Sequence, residues 1–119
     1  DIVSVKNLLV SWQEFLRGKK KRKDTAEFLL HFSDTIFALQ KELQEKTYRH
    51  GGYSAFKIND PKPRDIHKAL VRDRLVHHAL YRMLYPYFDR YFIYDSYSCR
   101  IRKGTHRAID RFRIFARRV

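Results

Sequence analysis

Cysteine is almost absent from this sequence of 119 residues. Cys99 is the single thiol, so no disulfide can form within the chain, and a reducing, cytoplasmic location is expected. Nothing nearby marks the thiol as activated, which favours an inert side chain. Cys99 and His106 lack the second pair of ligands that a zinc site needs, and the adjacent His77 and His78 diverge by about 100° on a helix. The sequence therefore predicts no metal site.

Long apolar runs are also missing. No segment approaches the roughly 18 apolar residues needed to cross a bilayer, and no secretory signal opens the chain, so we expect no membrane partner. The single methionine is Met83 and the chain begins at Asp1, from which we expect a processed chain or a piece of a longer protein. An apolar helical period that still runs at Val119 favours the same expectation.

Acidic residues are few: 13 Asp and Glu stand against 26 Lys and Arg, for a formal net charge of +13. The acids are scattered, and no tyrosine is followed by a pair of aspartates. Metal-dependent phosphoryl transfer needs two or more converging carboxylates, so we expect no catalytic residue in this chain.

The basic residues, in contrast, are clustered. One uninterrupted run comprises Lys19, Lys20, Lys21, Arg22 and Lys23, and a second basic stretch extends from Arg100 to Arg118 with Asp110 as its only acid. Together with 15% aromatic residues, these clusters favour nucleic acid as the partner, ahead of an anionic membrane surface. The alternative is a basic surface that is merely solvated.

The periodicity of apolar residues predicts a helix-rich α+β domain of about four helices and a short β-hairpin. The predicted elements are a helix over 4–17, a helix from Asp24 to the glycine pair at 51–52, a hairpin of strands 53–58 and 64–67, a helix from Val71, a β-favouring segment at 91–94 and a helix from Thr105.

Several helix ends and pairs can also be predicted. Ser4 should cap the first helix, and Gly18 should end it in the left-handed conformation. Asp24 and Glu27 have the spacing of a capping box at the start of the second helix. Glu42 and Lys46, one turn apart, should form an ion pair.

Two later helices each have an apolar half. Pro86 lies near the end of the first of these and should kink or stop it. One half of this helix carries Leu75, Val76, Ala79, Leu80, Met83 and Leu84. In the last helix, the residues expected to face inward are Ala108, Ile109, Phe112, Phe115, Ala116 and Val119.

The segment FKINDPKPRDIHKALVRDRLVHHAL at 56–80 is the most informative. It predicts a hairpin whose tip presents Lys62 and Arg64 beside prolines, followed by a helix with Arg72 and Arg74 in its first turn. Cations on a preorganised tip are suited to a triphosphate, because arginine forks match phosphate oxygens and lysine supplies a point charge. An ordinary exposed loop is the alternative.

With its basic pair near a proline and the sequence VRDRLVHHAL at 71–80, this segment resembles the first fingers block of group II intron-like reverse transcriptases. The stretch FIYDSYSCRIRKGTHRAI at 92–109 is similar to the family's second block. The resemblance implies the fingers subdomain of a right-hand polymerase, as one domain with an N-terminal helical extension over 1–52 and the fingers motifs over 53–119. Ser98 in place of the common glycine, and a longer stretch at 100–104, look closer to the retron-like or diversity-generating branches.

The resemblance also implies roles for single residues. Lys62 and Arg64 fall where the family's fingers tip contacts the incoming deoxynucleoside triphosphate. Arg72 and Arg74 lie at the start of the supporting helix, where Asp73 could instead form local ion pairs and hold the turn. The residues that fall in the template-lining stretch, or beside it in the same basic segment, are Ser96, Tyr97, Arg100, Arg102 and Lys103.

The implied partners are an RNA template, an RNA/DNA primer duplex, a deoxynucleoside triphosphate, and the palm and thumb of a parent polymerase. Mg²⁺ is expected for the complete enzyme and no cofactor for this chain, which should be inactive alone because the palm carboxylates are missing. A stand-alone basic RNA-binding module is the alternative function. A third possibility is an assembly module whose apolar helix faces await a partner.

Overall fold

A computed structural model describes residues 1–118 and shows an α+β chain, as the sequence predicts. Its helices are α1 (Val5–Phe15), α2 (Lys23–Leu30), α3 (Phe32–Gln44), α4 (Val71–Asp89) and α5 (Thr105–Ala116), and its strands are β1 (Tyr53–Ile58) and β2 (Arg64–Ala69). The described residues thus contain five helices, one more than predicted. None of these helices combines the length and the apolar composition that crossing a bilayer requires.

The contacts divide the chain into two compact units, residues 1–83 and residues 84–118 of the described part. The first unit contains the core. Its buried apolar side chains come from α1, α3 and the first half of α4, and comprise Leu8, Trp12, Phe15, Ile36, Leu39, Val71, Leu75, Val76 and Ala79.

Helix α1 begins as predicted. The Ser4 hydroxyl accepts a 3.2 Å hydrogen bond from the Asn7 backbone N–H, which satisfies one of the donors left open at a helix start. The helix ends at Phe15, two residues earlier than expected, and turns cover residues 16–21. Gly18 lies within these turns at φ +70°, in the left-handed region that glycine adopts at low cost.

The prediction of a single helix from Asp24 is wrong, because the helix is interrupted at His31, which separates α2 from α3. The break accompanies the packing of Phe28 and Phe32 on Trp12, with ring centroids 4.9 and 5.2 Å apart. Helix propensities differ by less than about 1 kcal/mol among ordinary residues, so aromatic packing can outweigh them. The predicted capping box is also wrong: α2 starts at Lys23, and no side chain caps it.

The expected ion pair between Glu42 and Lys46 does not form. Helix α3 ends at Gln44, and Lys46 takes a left-handed φ of +58°, so the two side chains are no longer one helical turn apart. Glu42 pairs instead with Arg72, thirty residues later in the chain.

The predicted hairpin is confirmed, with β2 extended to Ala69. The strands pair antiparallel with Phe56 opposite Ile66 and Ile58 opposite Arg64. Side chains on both faces of the ribbon are mostly exposed, and Ala69, at the end nearest α4, is the only buried residue in either strand.

Helix α4 continues through Pro86 for three more residues, so the proline does not stop it. The buried part of its apolar half ends at Ala79, and Leu80, Met83 and Leu84 are 37–42% exposed. The core of the first unit covers only the first turns of this helix, which is why the later apolar residues stay exposed.

In the second unit, the β-favouring segment at 91–94 forms turns and bends, not a strand. Helix α5 begins at Thr105 as predicted, but it has no buried residue among 105–116. Its expected inward face is exposed, with Phe112 at 70%. Val119, placed on that face by the sequence, lies outside the described residues.

Candidate nucleic-acid interface

The tip of the hairpin presents Lys62 and Arg64, the two residues predicted to contact a triphosphate. Both side chains are exposed. The Arg64 guanidinium donates a 2.8 Å hydrogen bond to the Asp60 carbonyl, which orients the side chain across the turn while leaving other N–H groups open. Lys62 has no ion-pair or hydrogen-bonding partner within residues 1–118. The tip therefore presents two cations with donors available to a ligand.

The base of the hairpin is held by Asp73, which is almost fully buried in the first turn of α4. Its carboxylate accepts hydrogen bonds from the Tyr48 hydroxyl at 2.6 Å and from the Gly51 N–H at 3.0 Å. A Cβ atom at Gly51 would lie 2.6 Å from Leu70 Cδ1 and 2.9 Å from the Asp73 carboxylate, so a larger residue here would displace one of these side chains. Asp73 thus ties the segment that enters β1 to the helix that follows β2. It does so through distant hydrogen-bond donors, whereas the local ion pairs offered as an alternative do not form, because Arg72 and Arg74 pair with Glu42 and Asp24.

Arg72 and Arg74, predicted to bind nucleic acid, are engaged within the chain. Arg72 pairs with Glu42 of α3, and Arg74 pairs with Asp24 of α2. Their side chains are 32% and 18% exposed, and the Nε atom of each is buried. These arginines join α4 to α2 and α3, and their contact with nucleic acid stays a prediction.

Asp24 is shared between two cations. Lys68, on β2, approaches it at 2.7 Å beside Arg74. Partial burial raises the pKa of Asp24, but hydrogen bonds from Lys68 and Arg74 outweigh this and hold it below the ordinary value of 3.8. The carboxylate therefore links the start of α2 to both β2 and α4.

The predicted basic run follows α1 through the turns at 16–21, and its last member, Lys23, is the first residue of α2. Lys19 sits over the Phe15 ring, 4.3 Å from its centroid. The other four residues of the run are exposed: Lys20, Lys21, Arg22 and Lys23. None of these four has an ion-pair or hydrogen-bonding side-chain partner in the part of the chain that the structure describes.

In the second unit, Arg100 organises the loop between α4 and α5. Its guanidinium donates to the Asp89 carboxylate at 2.8 Å and to the Asp89, Ile93 and Ser96 carbonyls at 3.0–3.3 Å. The side chain is 11% exposed. The hydrogen bond from Arg100 lowers the pKa of Asp89. The guanidinium of Arg100, which was predicted to line a template, is thus hydrogen-bonded within its own loop. Ser96, predicted for the same role, contributes its backbone carbonyl as an acceptor for Arg100.

Lys103 and Tyr97 meet in a cavity of about 220 Å³ in the second unit. The Lys103 ammonium lies 4.1 Å from the Tyr94 ring centroid and 4.7 Å from that of Tyr97, and donates to the Tyr94 carbonyl. Arg111 lies over the Tyr94 ring at 5.4 Å, and its Nε donates to Asp95 at 2.8 Å. The cavity is lined by Tyr94, Tyr97, Lys103, Arg107, Asp110, Arg111 and Ile114.

Burial, with the hydrogen bond to Asp95, raises the pKa of Tyr97, while the bond from Arg111 lowers that of Asp95. Aromatic faces beside fixed cations can stack a base and hold its phosphate.

Sequence reasoning missed Tyr94, Arg107 and Arg111 in this cavity. The four-residue spacing of the two arginines, which puts them on one face of a helix, was the available signal. Arg102, predicted to bind nucleic acid, is in a turn at φ +61° and is exposed.

The adjacent His77 and His78 have different neighbours. His78 contacts Glu14 at 3.1 Å, whereas His77 stacks on His50 with ring centroids 5.2 Å apart. No group of three or more His, Cys, Asp or Glu side chains within residues 1–118 is arranged to hold a metal ion. Cys99 is an exposed free thiol. No protein-family model matches this chain, and no curated protein matches it.

Proposed function

We propose that this chain is the fingers portion of an RNA-directed DNA polymerase of the group II intron-like kind. In this proposal it binds template-primer nucleic acid and the phosphates of an incoming deoxynucleoside triphosphate. The observation that carries it is the hairpin, which has an anchored base and two exposed cations at its tip. The family is proposed because residues 71–80 and 92–109 resemble the two fingers blocks of group II intron-like reverse transcriptases.

Anchoring matters because a mobile cation must lose side-chain and backbone entropy when it grips a ligand. Asp73 holds the residues before β1 and after β2, and the ion pair of Lys68 with Asp24 holds β2. Lys62 and Arg64 are therefore supported by a ribbon whose far end is fixed. A triphosphate would meet a preorganised pair of donors, which favours binding of the charged ligand.

Catalysis in this proposal belongs to a palm that supplies the carboxylates and binds Mg²⁺. The described residues contain no fitting metal cluster, so no catalytic step is assigned to them. Their contribution is to position the substrates and to stabilise phosphate charge.

The test uses a parent polymerase that contains this chain. Replacing Lys62 and Arg64 together by alanine should raise the KM for the triphosphate and lower kcat, while affinity for the template-primer duplex changes little. Lys57→Ala is the matched control, because Lys57 is an exposed lysine of the same hairpin that pairs with Asp65 at 3.8 Å. Unchanged triphosphate kinetics in the double variant would remove the assigned role.

The cavity beside Tyr94 and Tyr97 favours a second candidate, a stand-alone RNA-binding module. Such a module should bind RNA tightly as the isolated chain, with a steep dependence on salt, because its contacts are complete. A fingers portion alone should bind weakly, because its cleft has a single wall. Titrating the 119-residue chain with labelled RNA at several salt concentrations distinguishes the two.

A further inference from the structure

An open groove of about 610 Å³ lies where the basic run meets the hairpin. Residues 24–52 separate these segments in sequence, and nothing in the sequence predicts that they adjoin. The lining residues are Arg22, Lys23, Asp24, Glu27, Phe56 and Lys68. We call this cavity the Phe56 groove.

The aromatic member of the groove is available for stacking. Phe56 lies in the middle of β1 and is 45% exposed. The strand register puts Ile66 opposite it, with Lys68 and Arg64 two residues to either side on β2 and on the same face. Along this face of the ribbon, Lys68, then the apolar pair of Phe56 and Ile66, then Arg64 follow one another at steps of about 7 Å.

The cations of the groove differ in whether a carboxylate of the chain already neutralises them. Lys68 is paired with Asp24 at 2.7 Å. Arg22 and Lys23 have no such partner within the described chain, and the rest of the basic run adds three lysines beside them. Glu27 is the one opposing charge in the groove that no cation within residues 1–118 neutralises.

An exposed ring beside uncompensated cations has the chemistry of a single-strand binding site, in which a base stacks on the ring and phosphates meet the cations. A paired base in a duplex cannot offer its face to Phe56, so the ring gives single strands an advantage that charge alone would not. We propose that the Phe56 groove binds single-stranded nucleic acid, with a base on Phe56 and adjacent phosphates on Arg22 and Lys23. The inference rests on the proposed role in nucleic-acid binding and adds a site separate from the hairpin tip.

The experiment titrates the full chain into a fluorescein-labelled unstructured oligouridylate and follows anisotropy. Phe56→Ala should weaken binding about 5- to 150-fold, the range measured for loss of one stacked base, and should leave the salt dependence unchanged. Phe37→Ala is the matched control, because Phe37 is also an exposed phenylalanine of the first unit but lies outside the groove. Equal affinity for wild type and Phe56→Ala would overturn the proposal, as would an equal loss in Phe37→Ala.

Charge variants test the other half of the site. Replacing Arg22 and Lys23 by alanine should reduce the slope of log affinity against log salt by about 1.4, since each phosphate contact on a single strand contributes about 0.7. Replacing Lys41 and Lys46 removes the same charge from the first unit and should change the slope less. Glu27→Gln should tighten binding, because it removes the carboxylate that repels phosphate; weaker or unchanged binding would contradict the assigned geometry.

Two further titrations separate this inference from the proposed function. A duplex of the same length should bind with an affinity that Phe56→Ala leaves unchanged, and an equal loss on duplex would overturn base stacking. If the groove variants leave single-strand binding intact while the Lys62 and Arg64 variant still raises the triphosphate KM, the groove proposal fails and the proposed function stands.

Discussion

The hydroxyl group of Tyr48 donates a 2.6 Å hydrogen bond to the buried carboxylate of Asp73, twenty-five residues later in the chain. The same carboxylate accepts from the Gly51 N–H, so a single side chain joins the end of the helical segment to the first turn of α4. The hairpin lies between the two joined segments, and its position depends on this contact.

Tyr48→Phe should therefore destabilise the fold. The substitution keeps the ring but leaves a buried carboxylate without its strongest donor, which costs about 1–3 kcal/mol. Urea denaturation followed by circular dichroism measures the loss. Tyr53→Phe is the control, because Tyr53 is mostly exposed and its hydroxyl has only a 3.4 Å contact with His50. Equal stability of the two variants would contradict the role of Tyr48.

The same contact predicts a loss of stability at alkaline pH. Burial, and then the hydrogen bond to Asp73, raise the pKa of Tyr48 above its ordinary value of 10.0. The unfolded chain therefore releases this proton at lower pH than the folded chain does. The contribution is fully present below about pH 10 and is lost as pH rises toward the folded pKa. Tyr48→Phe should flatten this alkaline decline, and an unchanged decline would assign it to other groups.

Asp24 should control stability at the acid end. Its folded pKa is lower than 3.8, so its contribution is present above that pH and is lost as pH falls through the folded value. Asp24→Asn should lower stability at neutral pH and flatten the decline on acidification. Asp34→Asn is the control, because Asp34 forms no ion pair with any residue among 1–118. Parallel acid curves for wild type and Asp24→Asn would refute this assignment.

Arg100→Lys should loosen the loop of the second unit, although the charge is kept. Lysine cannot reproduce the planar fork that reaches the Asp89 carboxylate and three carbonyls at once. Hydrogen exchange of the amides in 89–103 should become faster by at least several-fold. Arg102→Lys makes the same change at an exposed turn and should leave exchange as it is. Slow exchange in both variants would show that the loop does not depend on Arg100.

Arg107→Ala tests the cavity beside Tyr94. Arg107 lines the cavity and has no ion pair within the described residues, so its charge is available to a phosphate. Its loss should weaken RNA binding and lower the salt slope by about 0.7. Arg113→Ala removes an arginine of α5 that pairs with Asp110 at 3.4 Å and does not line the cavity. An equal effect of both variants would indicate general charge attraction instead of a site.

Local patterns predicted the elements well where they acted within a few residues. The Ser4 cap, the start of α5 at Thr105 and the hairpin of β1 and β2 all follow from short-range chemistry, and all are observed. The break at His31 could not be predicted in this way, because it accompanies the packing of two phenylalanines on Trp12. For α5 the predicted inward face is exposed. An apolar period identifies which residues share a face of a helix, but it does not show what that face packs against.

For the candidate site, the sequence determined which charged and aromatic side chains are present. These are a basic run, two cations at a hairpin tip, and an aromatic and basic segment in the second unit. The tertiary structure decided which of them are free. It pairs Arg72 and Arg74 with carboxylates from distant helices, occupies Arg100 within its own loop, and leaves Arg22 and Lys23 beside Phe56. A cation's availability depends on whether a carboxylate lies within a few ångströms, and residues far apart in sequence reach that distance only when the chain folds.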